Sequence, residues 1–320
     1  MMRLGLLAAV LVWAFAPAAQ AQTSVLVINS AAASLSVMDL QSRTETAHIP
    51  VLREPHHWAL SPDGKDLLIG DSAANEVLFL DPTNFALKRR MTIADPYQMG
   101  FSPDGKYLVV TGLARAQVDV YDSHSYALVH RFKLKSMPSH VDFTPDSSTA
   151  FISLQGSGRA CAIDLRNMTV IWNEVVGPAP AGVMYLNGKL LVADMGADNF
   201  AVVDPANGHV ERRIVTAPGA HQLFLSPDRR ILYVNNRIAP SQIVALDAVT
   251  LKEIRRYQVP GGPDDMVFTP DGHILVTLRF VAKVGILDPK TGVLETFPVG
   301  RSPHGIYIKG AINSGGGNRP

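Results

Sequence analysis

The chain has 320 residues, 47% hydrophobic and 18% charged, a balance that supplies a large apolar core and excludes a charge-rich disordered protein. Its formal charge of +1 argues against a general polyanion binder, because nucleic-acid-binding domains carry a basic excess. The single cysteine, Cys161 in "ACAIDL", excludes an intramolecular disulfide and any cysteine-based metal site, and reads as a buried, inert thiol.

The N-terminus reads as an export signal. Arg3 gives a positive start, Leu4 to Ala16 is an apolar run too short to span a bilayer comfortably, and Ala19-Gln20-Ala21 is a small-x-small cleavage site. Cleavage is expected after Ala21, so residues 1–21 are a signal peptide. Gln22 follows where a lipid anchor needs a cysteine. Losing Arg3 leaves the mature chain formally neutral. No later segment reaches the ~18 uninterrupted apolar residues of a membrane span. An exported, soluble, periplasmic protein is expected, with no nucleic-acid partner and a monomeric state.

From residue 22 onward short strands and turns repeat. The first segment, "SVLVINSAAASLSVMDLQSRTETAHI", holds three strands and no inner strand of its own. The next unit shows four, at 57–60, 66–70, 76–80 and 86–93, rich in Val, Ile, Leu and Phe and separated by Pro, Gly, Asp and Asn. Its turn, "SPDG" at 61–64, recurs with Asp or Asn at Asp63, Asp104, Asp146, Asn187, Asp228 and Asp271. A second aspartate closes an apolar strand at Asp39, Asp81, Asp122, Asp164, Asp204, Asp247 and Asp288, spaced 40 to 43 apart. That period predicts an all-β, seven-bladed β-propeller with four antiparallel strands per blade. The last strand, "HGIYIKG" at 304–310, completes the first three, so N- and C-terminal strands close the seventh blade and leave no free sheet edge. Residues 22–310 form a single propeller domain, and 311–320 read as a flexible tail.

Most carboxylates belong to this scaffold. The Pro-Asp-Gly and strand-ending aspartates sit where turns need side-chain acceptors. No G-x-S-x-G elbow, H-E-x-x-H, phosphate-binding loop or C-x-x-C is present, and no catalytic residue is assigned.

The connection from each blade's outer strand to the next inner strand opens on one face, around the central channel. Each carries a proline: Pro55, Pro96, Pro138, Pro180, Pro218, Pro263 and Pro303. Just after them come His56 and His57, Tyr97 and Gln98, His140, Gly182, His221, Asp264 and Asp265, and His304. The loops between second and third strands open on the same face and bring Arg115, Arg159, Arg237, Arg279 and Lys283. Adjacent residues of an extended strand point to opposite sides, so His56 and His57 are expected to diverge. His48, His124, His130, His209 and His273 fall on outer strands or turns and read as surface residues.

The repeats "SPDGKDLLIG", "SPDGKYLVVTG" and "SPDRRILYVNN" resemble the YVTN-repeat family of bacterial seven-bladed propellers. That family is similar to the haem-binding propellers of cytochrome-type nitrite reductases and to lactonase propellers. The resemblance covers nearly the whole mature chain and implies the fold; chemistry has to be argued from the site, because this fold hosts many functions.

The leading expectation is a non-catalytic propeller that binds a small anionic ligand or an acidic protein partner at the channel mouth. His57, His140, His221, His304 and Asp265 supply polar contacts; Arg237 and Arg279 supply positive charge suited to carboxylate or phosphate. The alternative is an enzyme, either a lactonase-like hydrolase with Asp265 or His57 as general base, or a redox protein holding a metal or haem on the channel-mouth histidines.

Overall fold

A computed structural model describes residues 23–309. The expected cleavage site after Ala21 and the tail at 311–320 lie outside the described residues. Seven four-stranded antiparallel sheets make up the ring. The inner strands of blades 1 to 6 are Pro55–Leu60, Gln98–Phe101, Pro138–Phe143, Pro180–Leu186, Ala220–Leu225 and Pro263–Phe268. Blade 7 is the composite, with Pro303–Ile308 inside Ser24–Asn29, Ser34–Asp39 and Thr44–Pro50. Five inner strands begin on the mouth proline itself, at Pro55, Pro138, Pro180, Pro263 and Pro303, where the missing N–H costs no ladder bond.

Burial follows from the radial stacking of blades. The middle strands Leu67–Asp71 and Glu76–Leu80 are buried at every residue, whereas the outer strand Leu87–Thr92 is largely exposed. Both faces of a middle strand meet a neighbouring blade, which is why its sequence is continuously apolar rather than alternating. Trp58, Trp172 and Cys161 are buried in this packing, and burial pushes the Cys161 thiol up to about 12. The ring closes through Val25, Leu26 and Val27 paired with Ile308, Tyr307 and Ile306. Trp58 of blade 1 adds an indole N–H donated to the Ile306 carbonyl at 2.9 Å.

The turn aspartates are scaffold, as expected. Asp63 Oδ1 accepts from the Ser61 hydroxyl at 2.7 Å and from the Lys65 backbone N–H at 3.1 Å. The Ser61 hydroxyl, with the Lys65 N–H, brings its carboxyl down to about 2. Among the described residues the only helical pieces are two single 3-10 turns, and no helix is long and apolar enough to cross a membrane.

One irregularity recurs where it matters. In blade 1, Pro55 pairs with Asp71 and Trp58 with Ile69, so three steps along the inner strand match two along its partner. The extra residue falls at His56–His57. The same slip occurs at Ser139–His140, Ala181–Gly182, His221, Asp264–Asp265 and His304–Gly305. A bulge bends the strand and re-aims its side chains. It overturns the expectation that His56 and His57 diverge: their rings are 6.4 Å apart, and each packs against Tyr97 and His304.

Candidate functional site at the channel mouth

The bulged positions meet on the axis and form a closed ring. His304 and His57 have centroids 4.4 Å apart, His57 and His140 5.2 Å, and His140 and His221 5.7 Å. Asp264 closes the circle, with Oδ2 2.7 Å from His304 Nδ1 and Oδ1 2.9 Å from His221 Nδ1. The first contact is a hydrogen bond. The second lies off the hydrogen-bond direction and leaves both atoms without an aligned partner. Five blades contribute one residue each. Blade 4 contributes Gly182, where a Cβ would lie 2.8 Å from the His221 carbonyl oxygen; the neighbouring inner strand comes too close for a side chain. Blade 2 contributes Tyr97, 4.7 Å from His56 and 5.4 Å from His57.

The ring is dry. His57, His140, His221, His304 and Asp264 are all buried. Burial, reinforced by His304 and His140, holds His57 well below the usual imidazole range. Burial and His221 bring His140 down to about 3; burial and Arg237 lower His221. For His304 burial outweighs the pull of Asp264, and the imidazole again stays neutral. Burial also works against an ionised Asp264, but His304, Arg237 and His221 together outweigh it and keep the carboxyl well below its usual value. The ring is therefore four neutral imidazoles around one carboxylate, and its negative charge is met by arginine. Arg279 Nη1 reaches Asp264 Oδ2 at 3.0 Å, and Arg237 Nη1 stands 3.7 Å from Oδ1.

His304 Nδ1 lies between two charged groups: Asp264 Oδ2 at 2.7 Å, which as a carboxylate only accepts, and Arg279 Nη1 at 2.8 Å, which only donates, so one calls for a proton on Nδ1 and the other for a bare nitrogen. His57 Nε2 stands 3.1 Å from His304 Nε2, and one of the two carries the proton between them. Gln222 Nε2 donates toward His140 Nε2 at 3.3 Å, so His140 carries its proton on Nδ1 and donates to the Ser139 hydroxyl at 2.7 Å.

Above the ring opens a cavity of about 580 Å³. Arg115, Arg237, Arg279, His56, Glu54 and Asp95 supply its charged and ionisable groups. His56 Nε2 lies 3.2 Å from Glu54 Oε1, and its Nδ1 is buried without a hydrogen-bond partner.

The structure brings together His57, His140, His221 and His304 with Arg237 and Arg279. Asp265 does not join them. Its Oδ1 accepts from the Met266 backbone N–H at 2.9 Å and its Oδ2 from that of Ile306 at 3.1 Å, so it staples blade 6 to blade 7. Burial pushes its carboxyl up to about 8, against those backbone donors. The inner strand slips here as it does at His56–His57, yet these two neighbours part, and Asp264 is the one that meets the axis. Arg159 also turns away, donating from Nε to Asn173 Oδ1 at 2.8 Å. The structure adds His56, Tyr97 and Asp264 to the site. All three stand one residue after a mouth proline, a shared position that marks them in the repeat alignment. Among the described residues no group of three or more His, Cys, Asp or Glu is arranged to hold a metal ion.

The sequence matches the YNCE-like beta-propeller family over residues 3–312. An uncharacterized YncE protein of Salmonella typhimurium is 29% identical over 87 residues, 27% of this chain and 24% of that protein; the match thus spans about a quarter of the relative's length. The periplasmic gluconolactonase PpgL of Pseudomonas aeruginosa superposes with a TM-score of 0.70 at 17% identity, over 90% of this chain and 99% of that one. Hydrazine synthase of Kuenenia stuttgartiensis gives 0.68 at 19% identity over 81% and 92% of the two chains. The dihydro-heme d1 dehydrogenase NirN, in complex with DHE, gives 0.65 at 15% identity over 89% and 74%. At these identities the likeness is one of fold. Matched over nearly its whole length, and carrying seven blades closed by its own two ends, the chain belongs to the YNCE-like beta-propeller family.

Proposed function

We propose that this protein is an exported, non-catalytic propeller that binds a small anionic molecule at the channel mouth. The observation that carries the reading is the pairing of a cavity of about 580 Å³ with two of the arginines that line it, Arg237 and Arg279, which among the described residues form an ion pair with one carboxylate, that of the buried Asp264. Asp264 faces two guanidinium groups; Arg279 is also drawn by Glu54, which leaves Arg237 as the positive group most available to an incoming anion. The neutral ring imidazoles lie beneath the cavity and outside its lining, so they add no positive charge of their own to the site. The low-dielectric floor strengthens each such contact. His56 Nδ1 is a further buried nitrogen in want of a partner.

The test is titration calorimetry with three probes: sodium gluconate, inorganic phosphate and sodium octanoate. At least one should bind the purified protein, and an Arg237→Ala, Arg279→Ala double variant that melts normally should lose that binding. Absence of heat from all three, or binding unaltered in the double variant, rejects the reading.

A second reading, lactone hydrolysis, is favoured by the Glu54–His56 pair. With the His56 Nε2 proton directed to Glu54, Nδ1 is the basic nitrogen of a group that lines the cavity. Turnover of gluconolactone that disappears in His56→Gln would select it.

A further inference from the structure

The two sides of the mouth differ in chemistry. Blades 1 and 2 line it with Glu54, Ser72, Asn75, Asp95 and Arg115. Arg115 is already engaged there, its Nε donating to Asn75 Oδ1 at 3.2 Å and its backbone N–H to Asp95 Oδ2 at 2.7 Å. Blades 3 to 5 present Met137, Met195 and Arg237 to the cavity. Beyond them, Ile238 and Phe280 stand 51% and 63% exposed at the rim.

Arg237 is the unusual residue. Its side chain is 14% exposed, yet its hydrogen-bonding contact is to a thioether, Met195 Sδ at 3.8 Å. The guanidinium carbon lies over the Phe280 ring, 5.4 Å from its centroid. Asp264, at 3.7 Å, is beyond hydrogen-bond reach. Arg279, by contrast, is held by Asp264 at 3.0 Å. Arg237 thus carries five N–H donors and no oxygen acceptor among the described residues. A guanidinium stacked on an aromatic ring and flanked by sulfur suits bidentate capture of a planar carboxylate. Apart from Gln155, the side chains around Arg237 on that side are methionine, isoleucine and phenylalanine, which offer nothing to pair with hydroxyl groups.

We infer that the ligand is an amphipathic monocarboxylate, with its carboxylate on Arg237 and an aliphatic or aromatic body against Met137, Met195, Ile238 and Phe280. This inference rests on the anion-binding reading above and narrows it: a sugar acid or phosphate would leave its hydroxyl groups or extra oxygens facing carbon and sulfur, and unpaired polar groups are costly to bury. The rim apolar residues then act as part of the site, not as an incidental patch.

Calorimetry on the full mature chain separates the cases. Octanoate should bind about tenfold or more tightly than gluconate or phosphate. Arg237→Ala should weaken octanoate by about tenfold or more, as expected for loss of a charge-assisted pair. Phe280→Ser, on an exposed residue whose loss leaves the fold intact, should weaken octanoate several-fold while leaving the melting temperature in place. Gluconate or phosphate binding as tightly as octanoate overturns the amphipathic assignment and leaves the anion-binding reading standing. Octanoate binding that is indifferent to Arg237→Ala or to Phe280→Ser also overturns it. Silence from all three probes rejects both. Because Arg237→Ala can be judged only if it folds, Arg237→Lys provides the second variant: it keeps the charge, loses the planar fork, and should still weaken octanoate measurably.

Discussion

His57 and His304 face each other through the same ring atom, Nε2 to Nε2, at 3.1 Å. Only one of the two can hold a proton there, and the choice is made one step further on, at His304 Nδ1, where Asp264 Oδ2 at 2.7 Å calls for a proton and Arg279 Nη1 at 2.8 Å for a bare nitrogen. The tautomer of a histidine in blade 1 is therefore coupled, through a histidine in blade 7, to the Asp264–Arg279 pair of blade 6.

This relation predicts a nitrogen NMR pattern. At pH 7 His57 and His304 should each show one protonated nitrogen, and only one of their two facing Nε2 atoms should carry a proton. Both rings should stay neutral well below the ~6.5 at which a free imidazole titrates. Asp264→Asn should scramble the pattern. Two protonated nitrogens on His57 at pH 7 would contradict the proton placement.

Stability should depend on pH in a defined sense. Burial depresses His57, His140, His221 and His304 in the folded state, while in the unfolded chain each titrates near ~6.5. Between those values the unfolded chain holds more protons, so stability rises with pH. The contribution of the neutral ring is fully present above ~6.5 and is lost as pH falls toward the folded values. Asp265 acts oppositely: at about 8 in the folded state and ~3.9 unfolded, it favours folding at low pH and loses that contribution as pH rises. Four imidazoles outweigh one carboxyl below ~6.5. Thermal melts should therefore fall from pH 7 to pH 5 and fall only gently from pH 7 to pH 8. A His140→Gln variant should show a shallower acid limb, and a wild-type melt that is flat from pH 7 to pH 5 would refute the neutral ring.

Adjacent aspartates should behave differently. Asp264→Asn removes the counter-charge of Arg237 and Arg279 and should cost about 3–5 kcal/mol, the range for breaking a buried pair from one side. Asp265→Ala strands the Met266 and Ile306 N–H groups and should cost about 1–3 kcal/mol per unmet donor, while octanoate binding persists under native conditions. Urea denaturation and calorimetry on the two variants make the comparison. Equal loss of binding in both would place Asp265 back in the site.

The composite blade should be the weak point of the ring. Ile306 is fully buried where the C-terminal strand pairs with Val27, and Ile306→Ala should cost about 2–5 kcal/mol. Trp58→Phe keeps the packing but gives up the indole bond to the Ile306 carbonyl, a loss of about 1 kcal/mol. Urea midpoints check both, and a neutral Ile306→Ala would show that the clasp does not limit stability.

The propeller is legible in the sequence because its causes are local and repeated. A Ser-Pro-Asp-Gly turn, four apolar strands and a strand-ending aspartate recur every 40 to 43 residues, and each reports its own secondary structure through turn chemistry and apolar patterning. The same register places histidines after the mouth prolines, so the general location of the site is also legible. What the pattern cannot carry is direction. An extra residue in six of the inner strands turns both His56 and His57 toward the axis in blade 1, yet at the same slip in blade 6 Asp264 goes inward while Asp265 reaches the next blade. The contacts that decide the chemistry join residues such as His57 and His304, 247 positions apart. Closing the ring settles which of them touch, and burying them settles which are charged, because desolvation depends on neighbours that no single repeat contains.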